Sequence, residues 1–145
     1  MSLFERYLLH EQYTVYSSSS IDYDQEVITQ YNSHYYNRVT DERFDTWEEW
    51  TAFVGSIFCG DYLNTIMENE EKFINLDGKT YVVVGDMGWL LSRTYTYEVL
   101  ESDWESAKVS ITRRQINPGA EDSEFTAVYQ LIRTDGGWRI EGRIQ

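Results

Sequence analysis

Apolar and polar residues alternate in four runs of the second half of the chain, at about 90–100, 107–115, 124–133 and 138–144. Side chains that alternate in this way point to opposite faces of a β-strand. The last two runs are joined by an Asp-Gly-Gly sequence at 135–137, which is typical of a tight hairpin turn. Because the connections between the runs are too short for a crossover helix, the pattern predicts an antiparallel meander.

The first half of the chain shows helical spacing of its apolar residues instead. Thr46 and Glu49 match a capping box that is followed by an apolar stripe, and this is the clearest helix start. Val27, Tyr31 and Tyr35 fall at positions i, i+4 and i+8, which favours one helical face. The pattern predicts helices over 3–16, from Asp22 or Asp24 to about 37, from 46 to about 57, and over a short segment after Gly60.

Residues 73–84 predict a hairpin, because two apolar runs flank Asp77-Gly78-Lys79, where glycine can supply a positive φ. The order of elements predicts an α+β fold with N-terminal helices packed on a curved antiparallel meander sheet. A chain of 145 residues has the usual size of one domain. We therefore expect a single domain over 1–145, in which 1–20 could form an N-terminal helical extension.

The formal net charge is -13 at pH 7, from 25 acidic and 12 basic side chains. A nucleic-acid-binding protein needs a basic surface, so this charge argues against nucleic acid as a partner and disfavours anionic membranes. No apolar stretch is long enough to predict membrane insertion. The acidity favours either simple solubility or a basic protein partner that is steered to an acidic face.

No motif in the sequence indicates a metal site, a cofactor or a catalytic nucleophile, and the single Cys59 fits a small buried residue. Four residues are weak candidates for ligand binding. His34 would act as a general base if it faced a pocket, or it is a structural histidine. Arg93 shares a predicted strand face with Tyr95 and Tyr97. This combination suits binding of a carboxylate or another polar ligand. The alternative is that Arg93 points outward and stacks on the neighbouring tyrosine rings.

Two tryptophans lie at turns or strand ends, Trp89 in Gly88-Trp89-Leu90 and Trp104 in Ser102-Asp103-Trp104. Exposed tryptophans at such places are candidate interface anchors, although packing explains them as well. Exposed sheet faces also pair with each other to cover apolar residues, so the sequence leaves a homodimer open.

The ending Asp135-Gly136-Gly137-Trp138-Arg139-Ile140, after helices and a meander, resembles the NTF2-like and cystatin-like α+β folds. A narrower resemblance runs from about Phe44 to Gln145. Its pattern is Phe58-x-x-x-Tyr62-Leu63, then Asp77-Gly78-Lys79-x-Tyr81 and a Gly85-x-x-Gly88 turn. This pattern resembles extracytoplasmic domains of Gram-positive bacteria, among them the IseA-type inhibitors of cell-wall DL-endopeptidases.

The narrower resemblance implies a non-catalytic binding or inhibitory module, which acts outside the cytoplasm on a protein partner or a cell-wall component. The alternative is a small-molecule-binding or isomerase-like protein with a pocket between helices and sheet. A polar, water-accessible cavity discriminates between the two functions. The sequence leaves a cytoplasmic location open.

Overall fold

The computed structural model describes residues 1–85 and 93–145. These residues form two compact units, which are described separately: 1–55 with 65–85, and 56–64 with 93–145. The fold is α+β, as predicted. The α-helices are α1 (Leu3–Glu11), α2 (Trp47–Gly55) and α3 (Gly60–Glu68), and the strands are β1 (Tyr23–Tyr31), β2 (His34–Val39), β3 (Phe73–Leu76), β4 (Lys79–Val83), β5 (Arg93–Ser102), β6 (Ser106–Gln115), β7 (Ser123–Thr134) and β8 (Gly137–Arg143). Strands β1 and β2 lie between α1 and α2 along the chain, and the other strands follow α3.

Two helices begin at reciprocal side-chain caps. The Ser2 hydroxyl accepts from the backbone N–H of Glu5 at 3.1 Å, and the Glu5 carboxylate accepts from the Ser2 N–H at 2.9 Å. The Thr46 hydroxyl accepts from the Glu49 N–H at 3.2 Å and donates to the Glu49 carboxylate at 3.0 Å. Each cap satisfies a backbone donor that a helix leaves unpaired at its N-terminus, so the predicted start of α2 is confirmed.

The first unit contains a four-stranded antiparallel sheet with the strand order β1-β2-β4-β3. The predicted hairpin at 73–84 is confirmed as β3 and β4, with Asp77 and Gly78 at φ 52° and 80° in the turn. Helix α2 packs on this sheet through Trp50, which is fully buried and stacks on Phe73 with 4.3 Å between ring centroids. This aromatic contact forms the centre of the core.

The predicted helix from Asp22 or Asp24 to about 37 is wrong, because this segment is the hairpin of β1 and β2. The turn residues Asn32 and Ser33 both have positive φ, at 47° and 69°, as a two-residue hairpin turn requires. His34 therefore begins a strand rather than lying on a helix. Its side chain is exposed.

The second unit contains the predicted antiparallel meander, in the order β5-β6-β7-β8. Residues 57–59 run parallel to β8, where the Ile140 N–H donates to the Ile57 carbonyl at 2.7 Å and the Cys59 N–H donates to the Ile140 carbonyl at 3.0 Å. The strands form two antiparallel sheets, of which the sheet of β5 to β8 is the predicted meander. The NTF2-like and cystatin-like resemblance is not confirmed, and the single domain stays a prediction.

Candidate functional site

A cavity of about 460 Å³ opens in the first unit beside the β1–β2 hairpin. It lies next to the segment that leads into β3. Its lining contains two carboxylates, one histidine and two tyrosines among the residues Tyr31, Asn32, His34, Tyr36, Glu70, Glu71, Lys72, Ile74 and Val83. The candidate His34 thus lines a cavity of ligand size. The sequence predicted neither the strand on which His34 lies nor its position beside this cavity.

Burial and negative charge together set the proton affinities in this cavity. Burial raises the pKa of Tyr36, and the nearby carboxylate of Glu71 raises it further. Burial also raises the pKa of Glu70. The backbone N–H of Lys72 donates to the Glu70 carboxylate at 2.8 Å, and this bond lowers the pKa by less than burial raises it. The lining holds the carboxylates of Glu70 and Glu71 and the ammonium group of Lys72, so it suits a ligand that carries a hydrogen-bond donor or a positive charge better than an anion.

The other histidine, His10, belongs to the core of the first unit. Its side chain is 5% exposed and lies 6.3 Å from Trp50, ring centroid to centroid. Burial lowers the pKa of His10 from 6.5 to about 4. The imidazole is therefore neutral at pH 7.

The second unit places Arg93, Tyr95 and Tyr97 on one face of β5, as the alternation predicted. The register opposes Tyr95 to Arg113 of β6, and Arg113 in turn to Phe125 of β7, so these three side chains form one row across the sheet. Arg93 is half-buried and Tyr97 is 56% exposed. The structure brings together the candidates of this strand with residues that the sequence did not single out.

Phe125 is the centre of a cluster that we call the arginine–phenylalanine surface, defined by Tyr95, Arg113, Phe125 and Arg143. The guanidinium carbon of Arg113 lies 5.5 Å from the Phe125 ring centroid, and that of Arg143 lies 5.3 Å from it. Both distances are within the range of a cation–π contact. Phe125 remains 48% exposed, so an aromatic ring and cationic groups are presented on the same patch.

Trp104 stands in the turn between β5 and β6 and is 76% exposed. The guanidinium carbon of Arg133 lies 4.1 Å from the Trp104 ring centroid, which holds the indole against the sheet. The Asp103 carboxylate fixes the turn by accepting from the backbone N–H groups of Glu105 and Ser106, at 2.8 Å each, and these bonds lower its pKa. Trp104 is thus an oriented and solvent-accessible side chain. Trp89 lies outside the described residues.

The described residues contain no cluster of three or more His, Cys, Asp or Glu side chains that could hold a metal ion. Burial raises the pKa of the Cys59 thiol, and the negative charge of Glu141 raises it further, so the reactive thiolate is disfavoured. Among the described helices, none is long and apolar enough to span a membrane.

In a comparison with protein-family models, residues 10–142 match the model described as IseA DL-endopeptidase inhibitor. The match covers most of the chain and includes parts of both units. A search of the curated proteins finds no match.

Proposed function

The chain belongs to the IseA DL-endopeptidase inhibitor family, and from this premise we propose that it is a non-enzymatic protein that binds and inhibits a DL-endopeptidase. The observation that carries the proposal is the extent of the family match, which runs from residue 10 to residue 142. We further propose that the chain acts outside the cytoplasm, where a peptidase of the bacterial cell wall would meet it.

The chemistry of the titratable side chains supports a binding role over a catalytic one. His10 is buried against Trp50, and its low pKa suits packing rather than proton transfer. Cys59 has a raised pKa, whereas a catalytic cysteine needs a lowered one. An inhibitor needs neither group, because it acts by occupying the peptidase.

Exposed aromatic and arginine side chains support protein binding. Such residues are enriched at the energetic centres of protein interfaces. Trp104 with Arg133, and Phe125 with Arg113 and Arg143, each present a ring beside a guanidinium. A standard interface needs roughly 800 Å² from each partner, so one such cluster would form the centre of a contact rather than all of it.

The test is an inhibition assay with a purified cell-wall DL-endopeptidase and a peptide substrate that contains the scissile bond. We expect the rate of hydrolysis to fall to near zero as the protein is added, and the protein itself to remain uncleaved. A serine protease, measured in parallel, should keep its full activity. Undiminished hydrolysis at a large molar excess of the protein would refute the proposal.

The cavity beside His34 favours a second candidate function, the binding of a small polar molecule such as a cell-wall fragment. Its volume of about 460 Å³ falls within the roughly 300–1,000 Å³ that is typical of ligand pockets. We expect an amine-bearing fragment to bind, and His34→Ala to weaken that binding without lowering the melting temperature. Calorimetry that detects no heat of binding with such fragments would remove this candidate.

A further inference from the structure

The floor of the cavity beside the β1–β2 hairpin is one face of the first sheet. Tyr36 of β2 pairs with Val83 of β4, and residues that pair across strands share a face. Ile74 of β3 pairs with Tyr81, two residues before Val83, so Ile74 points to the same face. Two aliphatic side chains and a buried tyrosine ring therefore form an apolar floor.

The wall of the cavity is the segment that leads into β3, and it is acidic. It contributes the carboxylates of Glu70 and Glu71 and the ammonium of Lys72. The Lys72 ammonium donates to the Val15 carbonyl at 3.4 Å. The Tyr36 hydroxyl donates to the backbone carbonyl of Glu71 at 3.1 Å, which ties the wall to the floor. A net negative wall thus stands beside an apolar floor.

The Glu70 carboxylate has room for a further hydrogen-bond donor. The backbone N–H of Lys72 donates to it at 2.8 Å, and the N–H groups of the residues on either side of Lys72 also stabilise its charge. A carboxylate accepts about four hydrogen bonds, which is more than these three groups supply. Because burial nevertheless raises the pKa of Glu70, a cation beside it is favoured, since it stabilises the charged form.

Aromatic rings complete the lining. The rings of Tyr31 and Tyr36 meet edge to face, with 6.4 Å between their centroids. Tyr31, which pairs with His34 at the end of the hairpin, is 44% exposed. The face of a tyrosine ring attracts an ammonium group, as a carboxylate does. The rings and the carboxylates therefore favour the same kind of ligand group, a cation, by two independent interactions.

We propose that this cavity binds a primary ammonium group at the end of an alkyl chain, an inference that rests on the second candidate function and names the ligand class of its site. The ammonium donates to the Glu70 carboxylate and lies beside the Tyr31 ring. The methylene groups lie on Ile74 and Val83. A neutral chain lacks the charged contact, and an ammonium on a short chain leaves the apolar floor uncovered.

The experiment is an NMR titration of the ¹⁵N-labelled full chain with four small probes. They are Nα-acetyl-lysine methylamide, its norleucine analogue without the ammonium, its diaminopropionate analogue with a shorter chain, and glucosamine. The lysine probe should bind about tenfold or more tightly than the norleucine probe, which is the size of a charged hydrogen bond. It should also bind about tenfold more tightly than the diaminopropionate probe, which has three fewer methylene groups. The amide signals of Asn32, His34 and Lys72 should move.

Three variants test the assigned contacts. Glu70→Gln should weaken binding of the lysine probe about tenfold and leave the norleucine probe unchanged, while its amide oxygen still accepts from the Lys72 N–H. Glu68→Gln is the matched control, because Glu68 is an exposed glutamate at the end of α3 that does not line the cavity, and its affinity should stay within about twofold. Tyr31→Leu should weaken the lysine probe about threefold. Melting temperatures identify poorly folded variants, and Tyr31→Leu carries the test if Glu70→Gln does not fold.

The outcomes separate this inference from the functions on which it rests. Equal affinities for the lysine and norleucine probes, or an undiminished affinity of Glu70→Gln, overturn the ammonium site. Equal affinities for the lysine and diaminopropionate probes overturn the role of the apolar floor, and with it the alkylammonium class. If only glucosamine binds, the inference falls and the second candidate function stands, whereas binding of none of the four probes removes both. Inhibition of the peptidase is decided by its own assay, independently of these titrations.

Discussion

Protonation of His10 should be a main source of acid sensitivity in this protein. The imidazole is 5% exposed among aromatic rings, and burial lowers its pKa from 6.5 to about 4. The unfolded chain therefore binds a proton on this side chain at a higher pH than the folded chain does. Stability attributable to His10 is complete above about pH 6.5 and is lost as the pH falls towards 4.

The magnitude follows from the size of the shift. A pKa lowered from 6.5 to about 4 corresponds to about 3 kcal/mol at 1.36 kcal/mol per unit, most of which is lost between pH 7 and pH 4. For a domain of this size, this is a fall in melting temperature of roughly 6–12 °C. Aspartates and glutamates also titrate in the same interval, so the contribution of His10 must be isolated by comparison.

The assay is urea unfolding, followed by tryptophan fluorescence at several pH values, for the wild type and His10→Gln. The variant cannot take up the proton, so the wild type should lose about 3 kcal/mol more than the variant does between pH 7 and pH 4. His34→Gln is the control, because it removes the other histidine from an exposed position.

Parallel pH profiles for the wild type and His10→Gln would contradict this prediction. They would mean that the folded protein accepts a proton on His10 without cost, and that the ring is not enclosed by Trp50 and Phe53 as described.

Three further predictions concern single side chains. Trp50→Ala should lower the free energy of unfolding by about 3–5 kcal/mol, whereas Trp104→Ala should lower it by less than about 1 kcal/mol, as urea unfolding would measure. Thr46→Ala should cost about 1 kcal/mol in the same assay, because it removes the cap of α2. At pH 7, iodoacetamide should alkylate Cys59 more slowly than the thiol of a short cysteine peptide, since its raised pKa lowers the thiolate fraction. Equal rates by mass spectrometry would contradict this.

Local sequence signals predicted much of the fold because several elements contain their own start and turn chemistry. Thr46 with Glu49 starts α2, and Asp77-Gly78 supplies the positive φ of the β3–β4 turn. The β1–β2 hairpin was missed because Val27, Tyr31 and Tyr35 are spaced by four residues. Side chains spaced by four lie together on a helix and also on one face of a strand, so the spacing fits both. The turn residues Asn32 and Ser33 are the signal that distinguishes a hairpin from a helix in this segment.

The candidate surface could be predicted only in part, for a reason of register. Alternation placed Arg93, Tyr95 and Tyr97 on one face, but which side chain opposes Tyr95 depends on the length of the turn between β5 and β6 and on how these two strands align. An irregularity between Gln130 and Leu131 in the β7–β8 pairing then shifts β8 by one residue. This shift brings Arg143 to the same face as Arg113 and Phe125, although unbroken alternation would have placed Ile144 there.

The proposed function of the chain is to inhibit a DL-endopeptidase by binding it. The most direct test titrates a fixed amount of the peptidase with the protein, at a peptidase concentration well above the inhibition constant, and follows hydrolysis of the peptide substrate. We predict a linear fall in rate that ends at one protein molecule per peptidase, with the protein intact by mass spectrometry. A rate that does not change, or a protein that is consumed as a substrate, would contradict it.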